Sequence, residues 1–303
     1  MEGKLVSIVL CTYNGMEFIG PQLASIQNQS YSPLEIIIAD DASTDGTYEW
    51  LKDEAEKDMR IRLFKNETNI GFNLNFNKAC TFAMGEYIAI ADQDDVWELN
   101  KLSVLASAIS QKNDSVLVHC ISARFENEGP PHLRSLKLVN YFSGNDVRQF
   151  FLSNIISGHN MLLKKELLNA SLPFPKEGYY DWWLAVNACC MGRIEAVEEI
   201  LVWHRVHESN ATGKAKPRVL FYKQTQAFLP CILSIKNMPE NYRSFGKELL
   251  GYYNELPDKR FSIPLFKFLF KNAPTLFAYK KRTFPWISYV KYTFKYSRAD
   301  FYV

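Results

Sequence analysis

Tyr87-Ile88-Ala89-Ile90-Ala91-Asp92-Gln93-Asp94-Asp95 is an apolar run that ends in three carboxylates within four residues. The run is short and apolar throughout, so it reads as a strand buried on both faces. Three adjacent acids inside a helix or strand would repel one another. At a strand end, a divalent cation removes that cost, because carboxylate oxygens are the ligands Mg2+ and Mn2+ prefer. An Asp-x-Asp placed there suggests a diphosphate held through a metal. The same residues could instead form a solvated acidic turn ahead of a helix near Asn100.

Upstream, the chain alternates strand and helix signals. Val6-Ser7-Ile8-Val9-Leu10 is a strand followed by Thr12-Tyr13-Asn14 and the turn signal Asn14-Gly15. Residues 17–29 carry Phe18, Ile19, Leu23 and Ile26 at helical spacing. Residues 34–39 form a second strand that runs into Asp40-Asp41. A helix is expected over 43–57 with Ser43 or Thr44 as N-cap, then a strand over 61–64 and a helix over 73–83. Such alternation predicts a mostly parallel sheet with helices on both faces. Ligands of these sheets collect at the carboxyl ends of the strands. Polar clusters follow the first, second and fourth strands here, which predicts one shared site.

Downstream, strands are expected over 116–122 and 158–163 and helices over 146–154, 165–170 and 181–191, with a loop over 126–134. Beyond Lys214 the composition turns to Phe, Tyr and Lys, so the expected division is 1–215 for the α/β domain and 216–303 for a helical, basic-aromatic extension. The 303 residues are 47% hydrophobic and 22% charged, which excludes wholesale disorder. A net charge of +2 is too balanced for a nucleic-acid-coating protein, and no recognition motif accompanies the basic residues, so no nucleic-acid partner is expected. The six cysteines form no CxxC pair, which argues against structural zinc and for free thiols. Neither a signal peptide nor a run of roughly 20 apolar residues is evident. The expected location is the cytoplasm.

The segments 6–15, 36–47 and 69–71, together with Ala91-Asp92-Gln93-Asp94-Asp95-Val96-Trp97, resemble inverting family 2 glycosyltransferases in order and spacing across residues 5–102. The Asp-Gln-Asp-Asp-Val-Trp form with Lys101-Leu102 is similar to the bacterial rhamnosyltransferase branch. The likeness returns at Gly158-His159-Asn160, Asp181-Trp182-Trp183 and residues 204–210, and does not cover the last 80 or so residues. It implies a GT-A fold, a Rossmann-like mixed sheet with helices on both faces, that binds a nucleotide-sugar donor with Mn2+ or Mg2+. Carried over residue by residue, Thr12, Tyr13 and Asn14 would line the nucleotide pocket. Asp41 would accept the imide N–H of uracil or thymine, a fit for an acceptor-only carboxylate. Asn69 and Gly71 would approach the donor, Asp92 would face its ribose or sugar, and Asp95 would orient the loop or touch the sugar. Asp94 would bind the metal, with His207 of His207-Glu208-Ser209-Asn210 as a second ligand; His204 reads as structural. Gly158 and His159 would lie near the acceptor or sugar.

Inverting transfer needs a general base on the acceptor hydroxyl. The resemblance selects Asp181, at a helix start among Tyr179, Tyr180, Trp182 and Trp183, whose rings would exclude water and offer faces to a sugar. An aspartate there could also be a plain N-cap. Tyr180 stands where many relatives carry Glu, which leaves Asp181 as the available carboxylate. In the tail, lysines and arginines interleave with aromatic residues. That pattern fits contact with anionic membrane, and a helical cap or a homo-oligomer contact would use the same residues. The resulting expectation is an inverting transferase moving a sugar from a UDP- or dTDP-sugar, dTDP-rhamnose among them, to a saccharide or lipid-linked saccharide of the cell surface. A sugar-phosphate nucleotidyltransferase is the alternative, although its glycine-rich basic loop is missing after the first strand. A non-catalytic nucleotide-sugar-binding module is the third reading.

Overall fold

The computed structural model describes residues 3–126, 131, 133–207, 219–256 and 260–302. Its centre is β1 (Val6–Thr12), buried at every position. Val6, Ile8 and Leu10 face one core and Val9 and Cys11 the other, the period of two that a pleated strand imposes. β2 (Leu34–Asp40) pairs parallel to one side of β1, with β3 (Ile61–Lys65) beyond it, and β4 (Tyr87–Ala91) pairs parallel to the other side. The chain therefore steps outward along one flank and returns on the opposite one. That reversal between β1 and β4 opens a crevice at the strand ends, the usual seat of ligands in such sheets.

Helices cover both faces. Ile19, Leu23 and Ile26 of α1 (Ile19–Gln27), Leu51 of α2 (Thr47–Lys57) and Leu102, Leu105 and Ile109 of α4 (Lys101–Gln111) pack on the first core. On the second lie Phe76 and Ala79 of α3 (Phe72–Cys80), Leu167 and Leu168 of α5 (Lys165–Ser171), and Leu184, Ala185 and Ala188 of α6 (Tyr180–Met191). The second half of the sheet is mixed. β7 (Met161–Lys164) runs antiparallel to β4 and to β6 (Ser115–Phe125), and β6 runs parallel to β8 (Arg193–Arg205). β5 (Val96–Trp97) closes the far edge antiparallel to β8, giving the order β3-β2-β1-β4-β7-β6-β8-β5.

Several local expectations change. Neither Ser43 nor Thr44 caps a helix: α2 begins at Thr47 behind Gly46, which adopts φ 92°. Asp45 receives the Thr47 N–H at 3.1 Å, while the Ser43 hydroxyl and N–H are both spent on Asp40. In place of a helix over 146–154 there is one 3-10 turn, Val147–Phe150, whose Arg148 N–H is received by Asp146. Residues Gly158–Asn160 form another such turn, and the strand starts only at Met161.

After β8 come α7 (Phe221–Leu233), α8 (Glu240–Asn254), α9 (Ile263–Lys271), α10 (Ala273–Leu276) and α11 (Pro285–Tyr296). Phe228, Ile232, Leu249, Leu265 and Phe277 belong to the same core as Val9 and Ile90. The expected boundary after residue 215 lies outside the described residues. Among those described, no helix is long and apolar enough to cross a membrane.

Candidate active site

The register of the central strands explains how residues distant in sequence meet. Thr12 lies beside Asp40, and Leu10 lies beside both Ile38 and Ala91, so the residues after β1, β2 and β4 emerge in one row. They open into a cleft of about 680 Å3 lined by Thr12, Tyr13, Asp41, Asp92, Asp94 and Asp181, among others. Gln93 fastens two of the loops: its side chain receives the Tyr13 N–H at 2.9 Å and donates to the Tyr13 carbonyl at 3.1 Å. Asp40 is scaffold. It accepts from Thr12 Oγ1 at 3.0 Å and from the Ser43 N–H at 2.9 Å, with no exposed surface left.

Asp41 is held from behind. Oδ1 accepts from Asn66 Nδ2 at 2.8 Å and from the Ile70 N–H at 3.0 Å, and Oδ2 from the Gly71 N–H at 2.8 Å. Asn75 supports the arrangement by donating to the Ala39 carbonyl at 2.8 Å while receiving from Asn66 at 2.9 Å. A carboxylate oxygen accepts more than one hydrogen bond, so this network orients Asp41 while leaving Oδ2 able to meet a donor in the cleft. Asn69 and Gly71 line the same wall, and Gly71 adopts φ 85°, a conformation that favours glycine. Asn14 does not line the cleft. Its Oδ1 receives the Thr44 N–H at 2.9 Å and its own N–H goes to the Ser43 hydroxyl at 2.9 Å, so it braces the rim.

The acidic cluster divides by depth. Asp94 faces the cleft and its Oδ2 lies 2.9 Å from His207 Nε2, whose ring rests 4.2 Å from that of Phe18. Burial, with Asp92 and Asp95 beside it, pushes the Asp94 carboxyl above its usual range. Asp92 Oδ2 meets His159 Nδ1 at 2.9 Å. Burial opposes its charge, yet the hydrogen bond and charge of His159 hold that carboxyl below its usual range. Asp95 does not reach the cleft surface. Wholly buried, it lies 2.9 Å from His204 Nδ1 and 3.2 Å from His159 Nδ1. Burial alone would lower the His159 pKa, but Asp95 and Asp92 push it up to about 9. Beneath, Lys101 is fully buried, with Nζ 2.6 Å from the His159 carbonyl and 3.1 Å above the Trp97 ring centroid. Burial pulls its pKa down to about 7.

Two donor sets could hold a cation. Asp94, which lines the cleft, and His207 behind it offer an oxygen and a nitrogen. Asp95, His159 and His204 present ligand atoms within 4.8 Å of one another. Of the two sets, the outer one has Asp94 in the cleft lining, whereas Asp95 of the inner trio is wholly buried. His204, read from the sequence as structural, lines the cleft as well as supporting Asp95.

Asp181 lines the same cleft as the second residue of α6. It is not the N-cap; Tyr179 is, and the Tyr180 N–H is received by Asn73 Oδ1 of α3 at 2.9 Å. Asp181 Oδ1 accepts from the Trp182 N–H at 2.7 Å and Oδ2 from the Gly158 N–H at 3.3 Å. Burial raises its pKa to about 6, with Asp92 adding to the rise and the Trp182 N–H opposing it. Tyr179 and Tyr180 line the cleft, as do Gly158 and His159. Trp182 and Trp183 do not. Trp182 Nε1 bonds the Phe150 carbonyl at 2.7 Å with its ring 4.7 Å from that of Phe228, and Trp183 Nε1 bonds the Ser171 carbonyl at 2.8 Å. Each helical residue rotates by about 100°, so a helix that points residue 181 at the cleft turns 182 and 183 into the core. Gln93, Lys101 and His204 carry site structure that the motif reading missed. Only their closeness to the acidic run, or to the second histidine, could have marked them.

Comparison with known proteins gives a consistent picture. The glycosyl transferase family 2 model matches residues 7–172. The UDP-Glc:alpha-D-GlcNAc-diphosphoundecaprenol beta-1,3-glucosyltransferase WfgD of Escherichia coli is 31% identical over 185 residues, 60% of this chain and 70% of that protein. An uncharacterized glycosyltransferase of Haemophilus influenzae is 28% identical over 223 residues, 69% of this chain and 68% of that protein. Among solved structures, S. aureus TarS 1-349 in complex with UDP-GlcNAc superposes with TM-score 0.63 at 18% identity, covering 96% of this chain and 81% of that one. The mannosyltransferase PcManGT from Pyrobaculum calidifontis, in complex with GDP-Man and Mn2+, gives 0.59 at 20% identity, covering 96% and 84%. These structural likenesses show the GT-A fold.

Proposed function

The chain belongs to glycosyl transferase family 2 and is a glycosyltransferase; from that premise we propose an inverting enzyme that uses a UDP- or dTDP-sugar, with dTDP-rhamnose one candidate donor, and a saccharide or lipid-linked saccharide acceptor. We further propose residues 1–215 as the catalytic unit and 216–303 as its helical extension. One observation carries the reading: Asp41, Asp94 and Asp181 line a single cleft, and Asp181 comes from a separate helix with its pKa raised to about 6. That separation suits a donor stretched along one wall and a base waiting opposite.

In this account Asp41 Oδ2 accepts the imide N–H of the nucleobase, and Tyr13, Asn69 and Gly71 border the nucleoside. Asp94 and His207 hold Mn2+ or Mg2+, with imidazole favouring manganese. The ion would neutralise the departing diphosphate. Asp92, kept ionised by His159, is available to the ribose or sugar. Asp181 takes the proton from the acceptor hydroxyl as that oxygen attacks the anomeric carbon from the side opposite the diphosphate. The Gly158 and Trp182 N–H groups fix the orientation of its carboxylate, and Tyr179 and Tyr180 limit water. A pKa near 6 leaves it largely deprotonated at neutral pH and still basic enough to accept a proton. PcManGT binds Mn2+ and WfgD is named for a diphosphoundecaprenol acceptor, which supports these assignments by likeness.

Incubation with labelled UDP-, dTDP- and GDP-sugars plus Mn2+ tests the reading. Transfer of the sugar, or slow donor hydrolysis releasing a nucleoside diphosphate, is expected. With pyrophosphate added, formation of a nucleoside triphosphate and a sugar 1-phosphate would indicate a nucleotidyltransferase, and absence of any reaction a binding module.

A further inference from the structure

The C-terminal helices present a face that neither the cleft nor the core uses. On α11, Trp286, Ile287, Val290 and Phe294 are all exposed, Trp286 by 63%. At about 100° per residue they fall within one sector of about 100°. Thr293 and Tyr296, just beyond the Trp286 edge of that sector, are buried against the molecule. α9 packs beside α11, bridged by Phe261, whose ring lies 5.2 Å from that of Phe294. Its outer face shows Ile263, 61% exposed, and Phe270, 44% exposed. Exposed Lys267 and Lys271 on α9 and Lys291 and Lys295 on α11 border this apolar strip. Between Arg260 and Tyr302 there are nine lysines and arginines and a single acid, Asp300.

We infer that the α9–α11 face docks on an anionic lipid bilayer, with Trp286, Ile287, Val290 and Phe294 entering the headgroup–acyl boundary and the flanking lysines meeting the headgroups. An isolated apolar strip could equally serve a second copy of this chain. Symmetry decides against that: a twofold contact sets the same surface against itself, which would bring the uncompensated lysines together. Anionic headgroups supply the missing negative charge, and an amphipathic helix with aromatic and basic residues on adjoining sectors is the form that lies in a membrane interface. Since α11 is too short to span a bilayer, attachment is peripheral and reversible.

Flotation of the full chain with phosphatidylcholine vesicles, with and without phosphatidylglycerol, tests this surface independently of any sugar transfer. Binding to the anionic vesicles is expected, at least about tenfold weaker on the neutral ones. Changing Lys267→Glu together with Lys291→Glu should cost more than about tenfold. Trp286→Ser with Ile287→Ser should weaken binding too, while both variants keep the parent's circular dichroism because the altered side chains are exposed. No binding to either vesicle, or binding that survives both pairs of substitutions, overturns the inference. So does a dimer, seen by sedimentation, that the Trp286→Ser and Ile287→Ser pair dissociates.

Discussion

Asp181 and Asp94 both have raised carboxyl pKa values, and different tasks are proposed for them. Among the described residues no cation is in hydrogen-bond contact with Asp181, and burial raises its pKa to about 6. As a base it must be unprotonated; the transfer rate should fall about tenfold per pH unit below about pH 6. In Asp181→Asn the rate should drop by about 10^2–10^4-fold while donor affinity, read by calorimetry, stays within about twofold. Wild-type turnover by that variant would rule out the assigned base. Asp94 pairs with an imidazole at the cleft, so Asp94→Ala should abolish the part of donor binding that depends on Mn2+. If added Mn2+ tightened donor binding equally in Asp94→Ala and the parent, the metal would belong elsewhere, with Asp95, His159 and His204 the next set to test.

Elements place these side chains, and they also explain what the sequence disclosed. Strand runs such as Val6 to Leu10 and Tyr87 to Ala91 were readable because burial on both faces demands unbroken apolar residues. The polar residues that follow them could therefore be assigned to one rim before any coordinates. The two-residue β5 and the long, half-charged β8 have no such signature. Trp182 and Trp183 were misplaced for a related reason. α6 is apolar on nearly every side, so its periodicity carries no phase and cannot say which ring faces the cleft. Its N-terminus is fixed instead by Asn73 of α3, a contact across 107 residues that no local pattern reveals. Asn73→Ala leaves the Tyr180 N–H without that acceptor, at a cost of about 1 kcal/mol. Urea denaturation should detect the loss, and transfer should slow more than donor binding weakens. An unchanged rate would mean that this anchor does not position Asp181.

At the scale of the whole molecule, the C-terminal helices and the sheet share one core. Phe228 of α7 packs its ring against Trp182 of α6, and both side chains are buried. Phe228→Ala should cost about 3–5 kcal/mol and shift a single cooperative unfolding transition; a separate early transition confined to the tail would contradict the shared core. The proposed reaction requires one elongated donor to span the cleft from Asp41 to Asp94. The most direct measurement is a crystal structure with a bound nucleotide sugar and Mn2+. The nucleobase is expected beside Asp41, the diphosphate at Asp94 and the anomeric carbon turned toward Asp181. A nucleotide lodged in another hollow, or an anomeric carbon facing away from Asp181, would contradict it.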